Sequence, residues 1–239
     1  LIRNAYGSEV DIEFTANFLS GGDYKINLVQ CRPLQIQEAS ETVEALPELN
    51  PADIVLEARG AIIGHSRKIS IKRIIYLLHE KYGTQKEKDR YTVAKIIGEL
   101  THTNISPEDR LMMIGPGRWG TSTPSLGIPV SFQEIDTAGV LCEIDAMHDG
   151  LVPDLSLGTH FFNEMVEMNM LYLARFVGKE GNSLNRGILH NEKNKLAELV
   201  PRHAKWSDTI WVQEDSAFTP RRLVLNANSL EQRAVLYLE

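Results

Sequence analysis

The stretch that most constrains this chain is its opening pair of strand-like runs, Val10-Asp11-Ile12-Glu13-Phe14 and Leu28-Val29-Gln30-Cys31-Arg32-Pro33-Leu34. In an extended backbone successive side chains point to opposite faces. The first run therefore sets Asp11 and Glu13 on one side and Val10, Ile12 and Phe14 on the other. The second sets Gln30 and Arg32 on a common side. Two carboxylates beside an amide and a guanidinium suit a magnesium ion and the phosphates it bridges. The hard cation takes carboxylate oxygens, and Arg offers a bidentate fork to phosphate. The same alternation also fits a half-exposed strand that binds nothing.

The pattern Asp-x-Glu, a short hairpin, then Val-Gln-x-Arg-Pro is similar to the last hairpin of the nucleotide-binding domain in the phosphoenolpyruvate synthase and pyruvate phosphate dikinase family. That domain is an ATP-grasp fold, and the resemblance covers residues 1–35. It implies that Asp11 and Glu13 hold Mg²⁺ and that Gln30 and Arg32 contact the phosphates of ATP. Arg32 would also steady the charge of the transferring phosphoryl group. The family's Gly-rich phosphate loop and purine contacts lie upstream of this hairpin. The resemblance therefore implies that an upstream part of the same polypeptide completes the site. The sequence opens without Met on what reads as the tail of a domain, so a fragment of a longer protein is expected.

With 239 residues, 43% hydrophobic and 24% charged, the chain has the make-up of one large or two modest packed domains. Its net charge of −7 and the lack of a long Lys/Arg run argue against a nucleic-acid surface. No apolar run reaches membrane-spanning length. Cys31 and Cys142 are scattered, which fits a reduced, cytoplasmic protein better than a disulfide framework. The oligomeric state is left open.

After Pro33 the chain turns polar and acidic, with Pro47 and Pro51, which reads as a linker over residues 36–52. Strands are expected at Ile54–Arg59, Arg73–Leu78, Leu111–Ile114, Ala138–Ile144, Met170–Phe176, Leu223–Asn226 and Ala234–Leu238. Helices are expected at Lys86–Leu100, where Val93, Ile96, Ile97 and Leu100 form a stripe, at Thr159–Met168 with Thr159 as cap, and at Asn191–Val200. This alternation predicts an α/β or α+β fold, a mixed sheet with flanking helices over residues 53–239.

The segment Ile114-Gly115-Pro116-Gly117-Arg118-Trp119-Gly120-Thr121-Ser122-Thr123-Pro124-Ser125-Leu126-Gly127 contains Gly-x-Gly-x-x-Gly after an apolar strand. A dinucleotide fingerprint needs a helix to start at its last glycines, and Pro124, Gly127 and Pro129 forbid one. No Gly-Lys-Ser/Thr is present for a Walker-type loop. There remains a Gly/Pro/hydroxyl loop in which amides at Gly115 and Gly117, the Arg118 guanidinium and the Thr121 hydroxyl suit a phosphate or carboxylate. The competing reading is a rigid loop in which Trp119 packs and Arg118 pairs with a nearby acid.

Gly115 to Val130 together with Gly158-Thr159-His160-Phe161-Phe162 resembles the C-terminal module that follows the ATP-grasp domain in some phosphoenolpyruvate synthase-like proteins. The chain departs from the family's true synthases and dikinases. It has no Gly-Gly-x-Thr-x-His segment for phosphohistidine transfer, and no room for a pyruvate-binding barrel. His160, expected at a helix start where the dipole favours a neutral ring, is a candidate proton or phosphoryl acceptor. It equally suits a purely local role. The remaining histidines show no metal spacing. Glu143 and Asp145 alternate at a strand end and read as solvated, the competing reading being a pair that holds a cation.

The sequence thus points to an ATP- and Mg²⁺-dependent phosphotransferase. Arg118 and His160 would belong to a second site for a small anionic metabolite. The alternative is a non-catalytic regulatory module that senses a phosphorylated or carboxylate metabolite.

Overall fold

The computed structural model describes residues 10–19, 21–33, 46–106, 108–157, 160–190 and 192–239. Its contacts divide the chain into two units, 1–40 and 41–239.

In the first unit, β1 (Val10–Phe18) pairs antiparallel with β2 (Tyr24–Pro33) around a turn at Gly21 and Gly22. The register sets Asp11 opposite Arg32 and Glu13 opposite Gln30, and slips at Glu13/Phe14 so that Val29 is the extra residue of a bulge. Beyond the bulge Thr15 faces Asn27, and Asn17 faces Lys25, while Phe14 faces Leu28, Ala16 faces Ile26 and Phe18 faces Tyr24. Directly opposed residues share a face. The hairpin is therefore polar on one side and apolar on the other. Ile12, Phe14, Phe18, Tyr24, Ile26 and Leu28 on the apolar side are each between 41% and 85% exposed.

The second unit is built in three layers. The central sheet has the order β13 (Ile210–Glu214), β6 (Arg73–Leu77), β7 (Leu111–Pro116), β10 (Ala138–Ile144), β11 (Leu171–Arg175), β4 (Ile62–Ile63). Its four middle strands run parallel and the two edge strands antiparallel. Strands β6 and β7 are buried along their whole length, as expected of parallel strands covered on both faces.

One face carries Ile75, Leu77, Met113, Leu141, Tyr172 and Ala174. It packs against α2 (Glu87–His102) through Val93, Ile96, Ile97 and Leu100, α3 (Phe132–Ile135) through Ile135, and α4 (His160–Glu167) through Met165. The short α1 (His79–Gly83) follows β6 and buries Tyr82 in the same core. The other face, with Ile74, Tyr76, Met112, Ile114, Cys142 and Leu173, packs against a second, antiparallel sheet. Its order is β12 (Ser183–Leu184), β3 (Ile54–Arg59), β15 (Arg233–Leu238), β14 (Leu223–Asn228), β5 (Arg67–Ser70). Leu46, Leu49 and Ile54 pack on Val224, Val235 and Tyr237 of that sheet.

The molecule is thus mixed α/β, but with helices covering one face of the central sheet and a sheet covering the other. Expectation differs at one helix. Asn191–Val200 was to be helical, yet only α6 (Leu196–Leu199) forms, one turn, preceded by α5 (Arg186–Leu189). Asn194 explains it. Its side-chain amide donates to the carbonyls of Ser207 and Ile210, and its oxygen accepts from the amides of Leu196 and Val212, tying the segment to β13. Asn191 itself and the Thr159 cap lie outside the described residues, as does most of the 36–52 linker. No described helix is long and apolar enough to cross a membrane.

Candidate functional site

In open sheets of parallel strands, ligands bind beyond the carboxyl ends of the strands. Here that edge is formed by the ends of β6, β7, β10 and β11, and it holds the Gly-rich segment. Strand β7 continues through Gly115 to Pro116 and the chain reverses at Gly117, where φ is 64°. A Cβ at Gly117 would lie 2.2 Å from the Leu126 carbonyl oxygen, and one at Gly127 would lie 2.1 Å from the Arg118 carbonyl oxygen. These glycines let β8 (Arg118–Trp119) close on β9 (Gly127–Ile128). Gly117→Ala adds strain in a left-handed backbone to this clash, and is expected to cost about 2 kcal/mol in a denaturant melt.

No α-helix follows; Pro124–Leu126 is a single 3-10 turn. The segment is a braced strut. Trp119 is buried against Gly115. The Tyr82 hydroxyl donates to the Gly127 carbonyl at 2.8 Å. Buried Arg90 of α2 donates to the carbonyls of Pro124 and of Gly83.

The amides near the turn are engaged inside the chain. The Gly117 amide donates to the Ile144 carbonyl, and the Gly120 amide to that of Ile128. The Trp119 amide donates to Glu143 Oε1 at 3.0 Å. Glu143 is fully buried, so the expectation of a solvated strand end is overturned at this residue. Its Oε1 also accepts from the Ser156 hydroxyl, and its Oε2 from the Ser156 amide at 2.7 Å and the Tyr172 hydroxyl at 2.9 Å. Burial raises its pKa, and these donors pull it back in part. The group that the Trp119 amide of the Gly-rich turn meets is thus the protein's own Glu143 carboxyl. Asp145, two residues on, accepts from the Val177 amide at 2.6 Å.

Arg118 pairs with Asp154 at 3.2 Å across a mostly exposed contact, the kind of pair that adds little stability. Its Nε is buried with no hydrogen-bond partner. The Thr121 hydroxyl accepts from the Thr123 amide, a local turn. His160 begins α4, but its side chain, like those of Asp11 and Arg32, lies outside the described part of the chain. In the first unit, Glu13 is half-buried and Gln30 exposed. Among the described residues, no three His, Cys, Asp or Glu side chains gather to hold a metal ion. Comparison with protein-family models, curated proteins and solved structures finds no match to this chain.

The structure brings Gly115, Gly117, Arg118 and Thr121 together on one edge of the second unit. It brings positions 11, 13, 30 and 32 together on one face of the hairpin in the first. Sequence reasoning passed over Glu143 as an anchor, and with it Arg90 and Tyr82. Glu143 had a readable signal, since an acid in the run Val-Leu-Cys-Glu-Ile is flanked by core residues. Nothing in the helix pattern around Arg90 singles it out.

Proposed function

We propose that this chain belongs to an ATP-dependent phosphotransferase related to phosphoenolpyruvate synthase, with residues 10–33 as the closing hairpin of an ATP-grasp domain. The observation that carries the reading is the register, Asp11 opposite Arg32 and Glu13 opposite Gln30. Had the hairpin slipped by one residue, acids and guanidinium would lie on opposite faces. The amphipathic division of the hairpin supports the same reading. A two-stranded ribbon is marginal alone, and an exposed apolar side belongs against the body of a larger domain.

Asp11 and Glu13 would hold Mg²⁺, two carboxylates on one face being what a cation that keeps several waters needs from a protein. When bound, the ion neutralises phosphate charge. Gln30 and Arg32 orient the phosphates, and Arg32 stabilises charge on the transferred group. In the second unit, Arg118 offers its unpartnered Nε to a second anion, and His160 stands at a helix start as the proton or phosphoryl acceptor.

Calorimetric titration of the intact protein with ATP in the presence and absence of Mg²⁺ tests this. Glu13→Gln is expected to weaken Mg²⁺-ATP binding roughly 10–100-fold, the worth of a lost charge-assisted contact. Mg²⁺-free binding should change far less. Equal affinity in both proteins, or equal phosphoryl transfer, removes Glu13 from the metal site.

A further inference from the structure

At the same carboxyl edge, but on the face turned toward the second sheet, lies a group of residues that none of the chemistry above uses. Tyr76 of β6 is fully buried; its hydroxyl lies within reach of the Arg186 guanidinium, from which it can only accept, and its own proton has no acceptor. Arg186 of α5 sits beside it, with the guanidinium carbon 5.8 Å from the ring centroid. Arg186 Nη2 donates to His79 Nδ1 at 3.1 Å and to Glu80 Oε1 at 2.8 Å. A guanidinium has only protons to give, so His79 accepts at Nδ1 and is neutral. Its Nε2 then faces Glu80 at 3.3 Å. Burial, helped by Arg186 and Arg175, holds the His79 pKa below its usual value, in agreement with that tautomer.

Arg175 ends β11. It continues the alternation Leu171, Leu173, so it shares the face of Tyr76 and Cys142. Its Nε is buried and unpartnered, and no acid pairs with its guanidinium among the described residues. Its charge acts on Tyr76, His79 and Cys142 alike. Burial keeps the Tyr76 hydroxyl protonated, with a pKa pushed up to about 12. His190 completes the wall. It stacks on Trp211 with centroids 4.2 Å apart, lies 6.2 Å from the Tyr76 ring, and has an unpartnered buried Nε2.

Buried polar atoms without partners are few in native proteins, and each calls for a water, an ion or a ligand. Two of them occur here, Arg175 Nε and His190 Nε2, beside a Tyr76 hydroxyl whose proton has no acceptor. Two guanidiniums stand against the single carboxylate of Glu80, which is half exposed. We infer that Tyr76, His79, Arg175 and Arg186 form a binding site for a phosphate group, with Arg175 and the Tyr76 hydroxyl as its direct donors. A phosphate monoester has three terminal oxygens to receive the fork of Arg175, the phenol and the free edge of Arg186. A carboxylate could accept as many bonds but brings one charge to two guanidiniums, where a phosphate monoester brings up to two. The site stands on the second unit alone and does not depend on the nucleotide reading of the hairpin.

The test is thermal unfolding with inorganic phosphate, against sodium chloride at matched ionic strength and against acetate. Phosphate at about ten times its Kd is expected to raise the midpoint by roughly 3–6 °C, with chloride and acetate giving much less. Tyr76→Phe removes a hydroxyl whose proton has no acceptor, so it is expected to fold about as stably as the parent and to bind phosphate several-fold more weakly. Arg175→Gln should abolish the shift. Two results overturn the inference: a phosphate shift of equal size in Arg175→Gln and Tyr76→Phe, which marks general salt stabilisation, or an acetate shift equal to that of phosphate, which marks a carboxylate site.

Discussion

Glu143→Gln is expected to lower stability by about 3 kcal/mol, a fall of roughly 6–12 °C in the thermal midpoint. The two carboxylate oxygens accept from two different backbone amides, Trp119 on Oε1 and Ser156 on Oε2. Whichever way a glutamine amide is turned, its NH2 group faces one of these N–H donors, and neither can rotate away. A protonated Glu avoids the conflict, because a carboxylic oxygen that carries a proton keeps a lone pair for the amide. The carboxyl donates that proton in a hydrogen bond to the hydroxyl oxygen of Ser156 or Tyr172, and either hydroxyl is free to reorient.

The pH dependence follows from the direction of the shift. A carboxyl whose folded pKa is raised binds its proton more tightly in the native state. Its contribution is full below the unfolded value near 4.5 and is lost as pH rises through the folded value. Denaturant melts of the parent between pH 4 and 8 should show this decline, and Glu143→Gln should lack it. Identical pH profiles would place the titration elsewhere.

Arg73→Met is expected to cost about 3–5 kcal/mol, because it strands a buried network instead of dismantling it. Arg73 is wholly buried at the start of β6. Its Nε and Nη2 donate to Glu214 Oε1, its cross-strand partner on β13. Its Nη1 donates to the carbonyls of Leu100 and Thr103 at 2.8 and 2.7 Å, where α2 ends. The last carbonyls of a helix have no partner within it, so this one side chain closes the helix and ties it to the sheet. Methionine fills the volume but leaves the carbonyls and Glu214 unpaired. Arg73→Lys should recover part of the loss, since an ammonium can serve the acid or the helix end but lacks the fork to serve both. A double-mutant cycle with Glu214→Gln isolates the ionic share. A loss below about 1 kcal/mol in Arg73→Met would show that the network contributes little.

The middle strands of the central sheet were legible because burial on both faces leaves unbroken apolar runs, as in Leu111-Met112-Met113-Ile114 and Val140-Leu141-Cys142. The α2 helix was legible from its stripe at Val93, Ile96, Ile97 and Leu100. The second sheet was half visible. Strands β14 and β15 have clear runs, but Arg67–Ser70 is short, with Ile69 its one apolar residue, and gives no signal until its partner is known. The helix expected at Asn191–Val200 failed because periodicity is blind to one asparagine that bonds across to another strand.

The same limit governs the sites. The hairpin's pattern of acids, amide and guanidinium is local in sequence and could be read directly. The Gly-rich turn was rightly denied a helix on the strength of Pro124 and Pro129. That the Trp119 amide meets a carboxyl from β10 depends on pairing between strands far apart in the chain. The phosphate cluster draws on β6, α1, β11 and α5, residues 76 to 186, and no window of sequence contains it.

The greasy side of the opening ribbon has a thermodynamic corollary. Its six large side chains lie on the reverse of the positions that would grip a nucleotide, and the bulge at Val29 is shared by both sides. On the proposed nucleotide reading, seating those side chains against a protein surface would fix the spacing of the acids on the obverse, so ribbon docking and cation capture would be linked equilibria. Each then strengthens the other by the same factor. A substitution such as Phe14→Ser, which touches no ligand, should therefore weaken nucleotide binding through the ribbon's back.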